Sequence, residues 1–326
     1  MFEKIVVLEP ILITEEGMEK LKDYSKEVVF YDSKPNSKEE IIDRIGGADC
    51  ILLSFTTKIT KEILDKCNNI KYIGMSCSFY GEKYSNLDMK SAKEKGIAVK
   101  YLKDYGDEGV PEYVVSQLIR LMHGLGEYQW KDRPYELTGI KTGIIGLGKI
   151  GTMVANALKY FGADVYYYSK TRKYEEELKG IRYLELEELL KNCEIISTHL
   201  NRDVVLLKDN EFKIFGNGKI FINTTIGCCY DIKALKKWLD TGKNYHICDS
   251  VSNLSTTQEI INHPRTIYTN KICGNSKQSD IRATNQTLRN IKDFFENSYW
   301  NFLNKCFFVY VLFSGESGLF YSIENI

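Results

Sequence analysis

The sequence predicts an α/β protein made of two doubly wound parallel-sheet domains. Three observations predict it. Short apolar strand-like runs alternate with amphipathic helical segments along nearly the whole chain, a rhythm that puts parallel strands beneath helices on both faces. The polar, glycine-containing stretch Lys103–Val110 breaks this rhythm where a hinge would fall. The segment Lys141–Lys173 then reads as strand, glycine-rich turn, helix and second strand, one complete βαβ unit.

Each element of the first hundred residues has a local cause. Strands are read at Ile5–Leu8, Val28–Tyr31, Ile51–Leu53, Tyr72–Met75 and Ala98–Tyr101. Thr14 caps a helix carrying Met18 and Leu21 on one face. Ser37 with Glu40 makes a capping-box pattern ahead of Ile41, Ile42 and Ile45, and Gly46-Gly47 ends that helix. A Thr60-capped helix runs to Cys67, and another from Asp88 to Lys95 stops at Gly96.

Beyond the hinge, Pro111 suits a first helical turn and Glu112 its positive end. Val114, Val115, Leu118, Ile119, Leu121 and Met122 supply that helix with apolar surface until about Gly124. After the βαβ unit come a helix at Leu186–Lys191, a strand at Ile195–Thr198, a helix at Lys208–Phe215 and a strand at Lys219–Ile222. A helix at Asp231–Leu239, strands at Tyr245–Cys248 and Thr266–Tyr268, and an amphipathic helix from about Ser279 to Phe295 complete the series. The expected division is 1–103 completed by a C-terminal helix 279–299, then 104–278, with 300–326 a tail of unknown role. Within that tail the apolar run Cys306–Phe313 reads equally as an added strand, a subunit contact or an exposed end, and is too short to span a bilayer.

Composition narrows the partners. Lys plus Arg equals Asp plus Glu at 44 each, so no global field recruits nucleic acid or an anionic membrane. Nine cysteines show no CxxC pair and no Cys/His metal spacing, so no metal is expected and the thiols are read as free in a reducing cytoplasm. Met1-Phe-Glu-Lys leads directly into a β-like run with no signal-peptide pattern.

The βαβ unit carries the chemistry. Its turn is Gly146-Leu147-Gly148-Lys149-Ile150-Gly151. Gly146 permits a tight turn, Gly148 removes the side chain that would hold a pyrophosphate off the backbone, and Gly151 lets helix approach strand. The amides at the helix start face the phosphates. At the end of the second strand stand Ser169, Lys170, Thr171, Arg172 and Lys173, with no carboxylate in the slot that would accept a ribose 2′-OH. Three cations and two hydroxyls suit a 2′-phosphate, Arg172 as a bidentate fork; NADP(H) is therefore expected over NAD(H). The competing reading is a basic surface loop whose charge Glu175-Glu176-Glu177 offsets. Two α/β sheets joined through a hinge also leave a cleft, the usual ligand position.

From Ile5 to Phe295 the chain resembles the D-isomer-specific 2-hydroxyacid dehydrogenases. The marks are GIIGLGKIG at Gly143–Gly151, IISTHL at Ile195–Leu200, GNGKIFINTTIG at Gly216–Gly227, and the spacing of Asp249 and Gly274. The resemblance implies a flavodoxin-like substrate domain, a Rossmann cofactor domain, a 2-oxo or 2-hydroxy acid or related carbonyl compound as substrate, and a homodimer, with the helical stretch Val110–Trp130 as a contact. It places Lys149 and Ile150 against the pyrophosphate, Thr225 near the cofactor and Asp249 near the nicotinamide. A structural carboxylate capping the next segment is the other reading of Asp249.

The same resemblance exposes departures. Ile226 stands where the family has its arginine, Leu254 is nearest to the expected glutamate, and Lys271 aligns with the histidine. Charge developing on a substrate oxygen needs a donor aimed at it, and isoleucine is none. Lys271 is the candidate replacement acid, against the plain reading of a solvated lysine. His199 and His246 are read as packing or cofactor-edge residues. In the substrate loop a longer aromatic insert replaces the short glycine-rich turn: Ser76, Cys77 and Ser78 offer amides and hydroxyls to an anion, and Phe79, Tyr80 and Tyr84 line the pocket. Two functions stand against each other: a reductase with an altered catalytic set, and an inactive dinucleotide-binding regulator.

Overall fold

Parallel pairing runs through both sheets of the protein, seen in a computed structural model that describes residues 1–202, 204–250 and 258–313, with side chains described through residue 296. The chain divides into two compact units, Met1–Lys103 with the chain from Ile281 onward, and Asp104–Asp280.

The first unit contains β1 (Phe2–Val7), α1 (Glu15–Leu21), β2 (Ser25–Phe30), α2 (Lys38–Ile45), β3 (Cys50–Leu53), α3 (Lys61–Lys66), β4 (Tyr72–Ser78), α4 (Met89–Glu94) and β5 (Ala98–Leu102). Its strand order β2-β1-β3-β4-β5 reverses between β1 and β3, the flavodoxin-like arrangement. Side chains alternate between faces along each strand. Val6, Ile51 and Ile73 accordingly enter one core and Ile5, Val7, Leu52 and Tyr72 the other. Both faces are covered, which explains the nearly unbroken apolar runs.

The second core needs the end of the chain. Helix α12 (Lys277–Phe313) brings Leu288, Ile291, Phe294 and Phe295 against that face, with the Phe2 ring 4.7 Å from Phe295 and 5.5 Å from Phe294. Near its start Thr284 Oγ1 accepts the Thr14 N–H at 2.9 Å. The helix expected over 279–299 thus continues through Phe313, and Cys306–Phe313 is helical rather than an added strand. No Gly or Pro occurs before Gly315 to stop it. Among the described residues no helix is long and apolar enough to cross a membrane.

A second correction concerns β4, which runs through Ser78 instead of ending at Met75, with a register shift between those residues. Ser76 and Cys77 are therefore buried strand residues, not loop. Their polarity suggested a turn, but Ser76 Oγ accepts the Leu12 N–H at 3.1 Å and so is satisfied where it is.

The second unit contains α5 (Gly109–His123), β6 (Lys141–Ile145), α6 (Lys149–Tyr160), β7 (Asp164–Tyr168), α7 (Tyr174–Leu178), β8 (Arg182–Tyr183), α8 (Leu186–Asn192), β9 (Ile195–Thr198), α9 (Asp209–Phe215), β10 (Ile220–Asn223), α10 (Ile232–Leu239), β11 (Tyr245–Cys248), α11 (Gln258–Ile261) and β12 (Thr266–Tyr268). The order β12-β11-β10-β9-β6-β7-β8 reverses between β6 and β9, as in a Rossmann sheet. Helix α5 stops at His123, where Gly124 turns left-handed at φ 66°, the end expected from the sequence, so only the first part of the stretch Val110–Trp130 is helical. Its Val114, Leu118, Leu121 and Met122 are consumed by this unit's own core. Helix α6 begins at Lys149, earlier than the Thr152 read from sequence, because first-turn amides need no partner further back in the helix.

Candidate functional site

The glycine turn lies where the second sheet reverses, between the ends of β6 and β9. Gly146 has φ 95°, donates its N–H to the Tyr168 carbonyl at 2.8 Å, and leaves no room for a Cβ against the His199 carbonyl. A Cβ on Gly151 would strike the Gly146 carbonyl. At Gly148 the surroundings are the opposite: an added Cβ would meet nothing within 4 Å. That open space faces the start of α6, where Gly148 provides no side-chain cap for the first amides. Free amides and a positive helix end there suit a pyrophosphate, so the cradle fits a dinucleotide on geometry.

Lys149 follows immediately, and its ammonium reaches Asp107 Oδ2 at 2.9 Å and Asp104 Oδ2 at 3.1 Å. Partial desolvation pulls its pKa down, but the bonds to Asp107 and Asp104 outweigh it and hold the lysine above its ordinary range. Ile150 packs against the core of the unit, so only its backbone remains to face a phosphate.

At the end of β7, Lys170, Thr171 and Arg172 are exposed and Ser169 is half-buried. The Arg172 fork is engaged: Nε donates to Glu177 Oε1 at 2.8 Å and Nη2 to Glu177 Oε2 at 2.9 Å. This pairing raises the arginine pKa and lowers that of Glu177. Tyr167 OH also donates to Glu177 Oε1 at 2.8 Å and accepts the Lys173 N–H at 2.7 Å. Of the fork expected for a 2′-phosphate, Nη1 is left outside this pair.

After β10, buried Asn223 organises the turn. Its Oδ1 accepts from Thr225 Oγ1 at 2.5 Å, Thr225 N at 3.2 Å and Thr198 Oγ1 at 3.1 Å, which fixes Thr225. Ile226 in the same turn is 39% exposed and offers no polar atom. Leu254 lies outside the described residues.

Asp249 closes β11 at 1% exposure. Burial raises its carboxyl above the ordinary value, partly offset by the Cys273 N–H donating to Oδ2 at 2.9 Å. Oδ1 is shut from solvent and has no hydrogen-bond partner among the described residues. Its backbone carbonyl accepts from Lys271 N at 2.9 Å and Thr269 Oγ1 at 3.1 Å. Lys271 is thereby held close along the chain trace to Asp249, with its side chain exposed.

Both histidines are held neutral by burial, each pKa lowered to about 4. His246 stacks on Phe221 at 5.1 Å within the core, a packing residue; His199 bonds Ser197 Oγ at 3.0 Å beside the glycine turn. In the first unit the anion-binding set is split. Ser76 and Cys77 are buried, and burial pushes the Cys77 thiol up to about 11, against any nucleophilic role. Ser78 is half-buried, while Phe79 and Tyr80 are exposed and Phe79 rests on Tyr101 at 4.7 Å. Sequence reasoning missed Asp104, Asp107 and Asn223. The left-handed φ of 58° at Asp104 has no signature in composition, and a buried amide reads like any other asparagine.

Comparison with known proteins follows the same lines. Residues 114–272 match the family model described as D-isomer specific 2-hydroxyacid dehydrogenase, NAD binding domain. A hydroxypyruvate reductase of Blautia hydrogenotrophica is 28% identical over 303 residues, covering 86% of this chain and 92% of that protein. A glyoxylate reductase of Thermococcus litoralis is 28% identical over 251 residues, covering 71% of this chain and 75% of that one. Among solved structures, the apo D-lactate dehydrogenase from Escherichia coli aligns with a TM-score of 0.74 at 20% identity, over 90% of this chain and 97% of that one. An acyclic imino acid reductase in complex with NADPH and D-Arg aligns with a TM-score of 0.72 at 23% identity, over 90% and 97%.

Proposed function

We propose that this chain, which belongs to the D-isomer specific 2-hydroxyacid dehydrogenase family, is an NADP(H)-preferring oxidoreductase acting on a small 2-oxo or 2-hydroxy acid. The observation that carries it is the cradle at Gly146, Gly148 and Gly151, with open space only at the middle glycine. The unit Asp104–Asp280 holds the dinucleotide and the first unit contributes to substrate binding. When bound, the nicotinamide supplies the hydride. The backbone of Gly148–Gly151 would receive the pyrophosphate, the fixed Thr225 hydroxyl lies at the turn after β10, and Asp249 would serve the nicotinamide end as a hydrogen-bond acceptor.

The 2′-phosphate preference rests on Ser169, Lys170, Thr171 and Arg172, with no carboxylate in the position that would read a 2′-hydroxyl. Binding there exchanges the Arg172–Glu177 pair for one with phosphate. Fluorescence titration should give a Kd for NADPH about tenfold below that for NADH, a gap that Arg172→Gln closes. Tighter NADH binding would reverse the cofactor assignment.

With Ile226 in the arginine position, a cation must come from elsewhere to meet charge developing on the substrate oxygen. Lys271 fills that role, its ammonium donating the proton. NADPH oxidation should be screened against glyoxylate and hydroxypyruvate, on the protein and on Lys271→Met. Turnover that survives the substitution removes Lys271 from the reaction. The exposed, non-polar Ile226 favours a second function, a dinucleotide-binding regulator without turnover, and silence across the screen despite tight NADPH binding would select it.

A further inference from the structure

Glu177 occupies the donors that a 2′-phosphate would need. It is the last of three consecutive glutamates, and the short helix α7 turns them to different tasks. Glu176 pairs with Lys179 at 2.8 Å, whereas Glu177 faces back along the chain and takes both Nε and Nη2 of Arg172. Two carboxylate oxygens against two parallel N–H groups make the same fork that phosphate oxygens use.

The two partners are not held alike. Glu177 also accepts from the Tyr167 hydroxyl at 2.8 Å, and that hydroxyl accepts the Lys173 N–H at 2.7 Å. Tyr167 is fully buried, so the carboxylate has an anchor in the core of its unit. Apart from Glu177, the Arg172 guanidinium lies over ring faces, 4.9 Å from the Tyr183 centroid and 5.3 Å from that of Tyr174. Such contacts hold a cation by its charge and leave its N–H groups free to be redirected. With side-chain exposures of 48% for Arg172 and 21% for Glu177, the arginine is the partner that can turn to a ligand.

Given the NADP(H) reading, on which this rests, we infer that Glu177 is a specificity-determining residue, a built-in competitor of the 2′-phosphate for Arg172. NADPH must displace the carboxylate before Arg172 grips the phosphate, so its affinity falls with the fraction of molecules whose fork is free. NADH makes no demand on Arg172 and meets a cation that is already neutralised. The pair therefore narrows the margin between the two nucleotides, and the chain takes up either one, NADPH first.

The test is Glu177→Gln in the full chain, with Kd for NADPH and for NADH measured by fluorescence titration at one ionic strength. Glutamine keeps the length of the side chain and removes its charge, so the ratio of the two constants should move about tenfold further toward NADPH. Adding Arg172→Gln should cancel that gain, because the competition needs the guanidinium. In the unsubstituted chain, the Arg172 Nε–H resonance, identified by its loss in Arg172→Gln, should shift at saturating NADP⁺ and stay in place at saturating NAD⁺. That signal decides alone if the glutamine variant does not fold. Failure of the cofactor reading has its own signature: the unsubstituted chain favours NADH, while a ratio that still moves toward NADPH in Glu177→Gln keeps Glu177 as the competitor. A ratio that stays put or moves toward NADH, a gain that survives without Arg172, or an Nε–H signal indifferent to bound NADP⁺ overturns the inference.

Discussion

Adding one methyl group at Gly148 or at Gly151 should separate binding from folding. At Gly151 the new Cβ would press on the Gly146 carbonyl, and backbone cannot rotate aside as a side chain can; Gly151→Ala is expected to cost about 1–3 kcal/mol. Gly148 has φ −82° and empty space around its absent Cβ. Gly148→Ala should change stability by less than about 1 kcal/mol while weakening NADPH about tenfold or more, since the methyl occupies the place of a phosphate. Thermal melts and cofactor titrations on the two variants decide it, and equal loss of stability in both would refute the distinction. The backbone roles of Gly146 and Gly151 were legible in the sequence because they act within one turn. The partners of Lys149 were not. Asp104 and Asp107 meet it only after the chain has built α5 and β6, so no local pattern announces them. Glu177 was visible as part of an acidic run, but its bidentate hold on Arg172 depends on the short helix α7, which the pattern did not show.

At the level of elements, α12 matters most to the first unit. Ile291 is fully buried on the face that Phe2, Ile5, Val7 and Tyr72 present. Ile291→Ala should destabilise that unit by about 2–4 kcal/mol, measured by urea denaturation; a loss under about 1 kcal/mol would mean the helix is not part of this core. The helix was readable from its apolar spacing as far as Phe295, and its continuation was not, because the aromatic run Cys306–Phe313 satisfies strand and helix patterns alike. Strand β4 failed for the reverse reason. Ser76 and Cys77 look like turn residues, yet each is accommodated inside the sheet, one by a hydrogen bond and one by its small apolar volume.

For the molecule as a whole, the alternation of strand and helix was enough to foresee two parallel sheets, since only strands covered on both sides are apolar throughout. The candidate site was less legible: the phosphate cradle is a short-range motif, whereas the substitutions at Ile226 and Lys271 acquire meaning only from a family pattern. One consequence follows from the way the first unit is closed. Its strand β1 precedes the helix that covers it by the whole of the second unit, so a chain growing from its amino end leaves Phe2 and Tyr72 bare until that unit has been made. The middle unit, being contiguous in sequence, has no such wait. Nascent molecules should therefore carry a finished centre and an open, sticky front, and protection by a holding chaperone matters most in that interval.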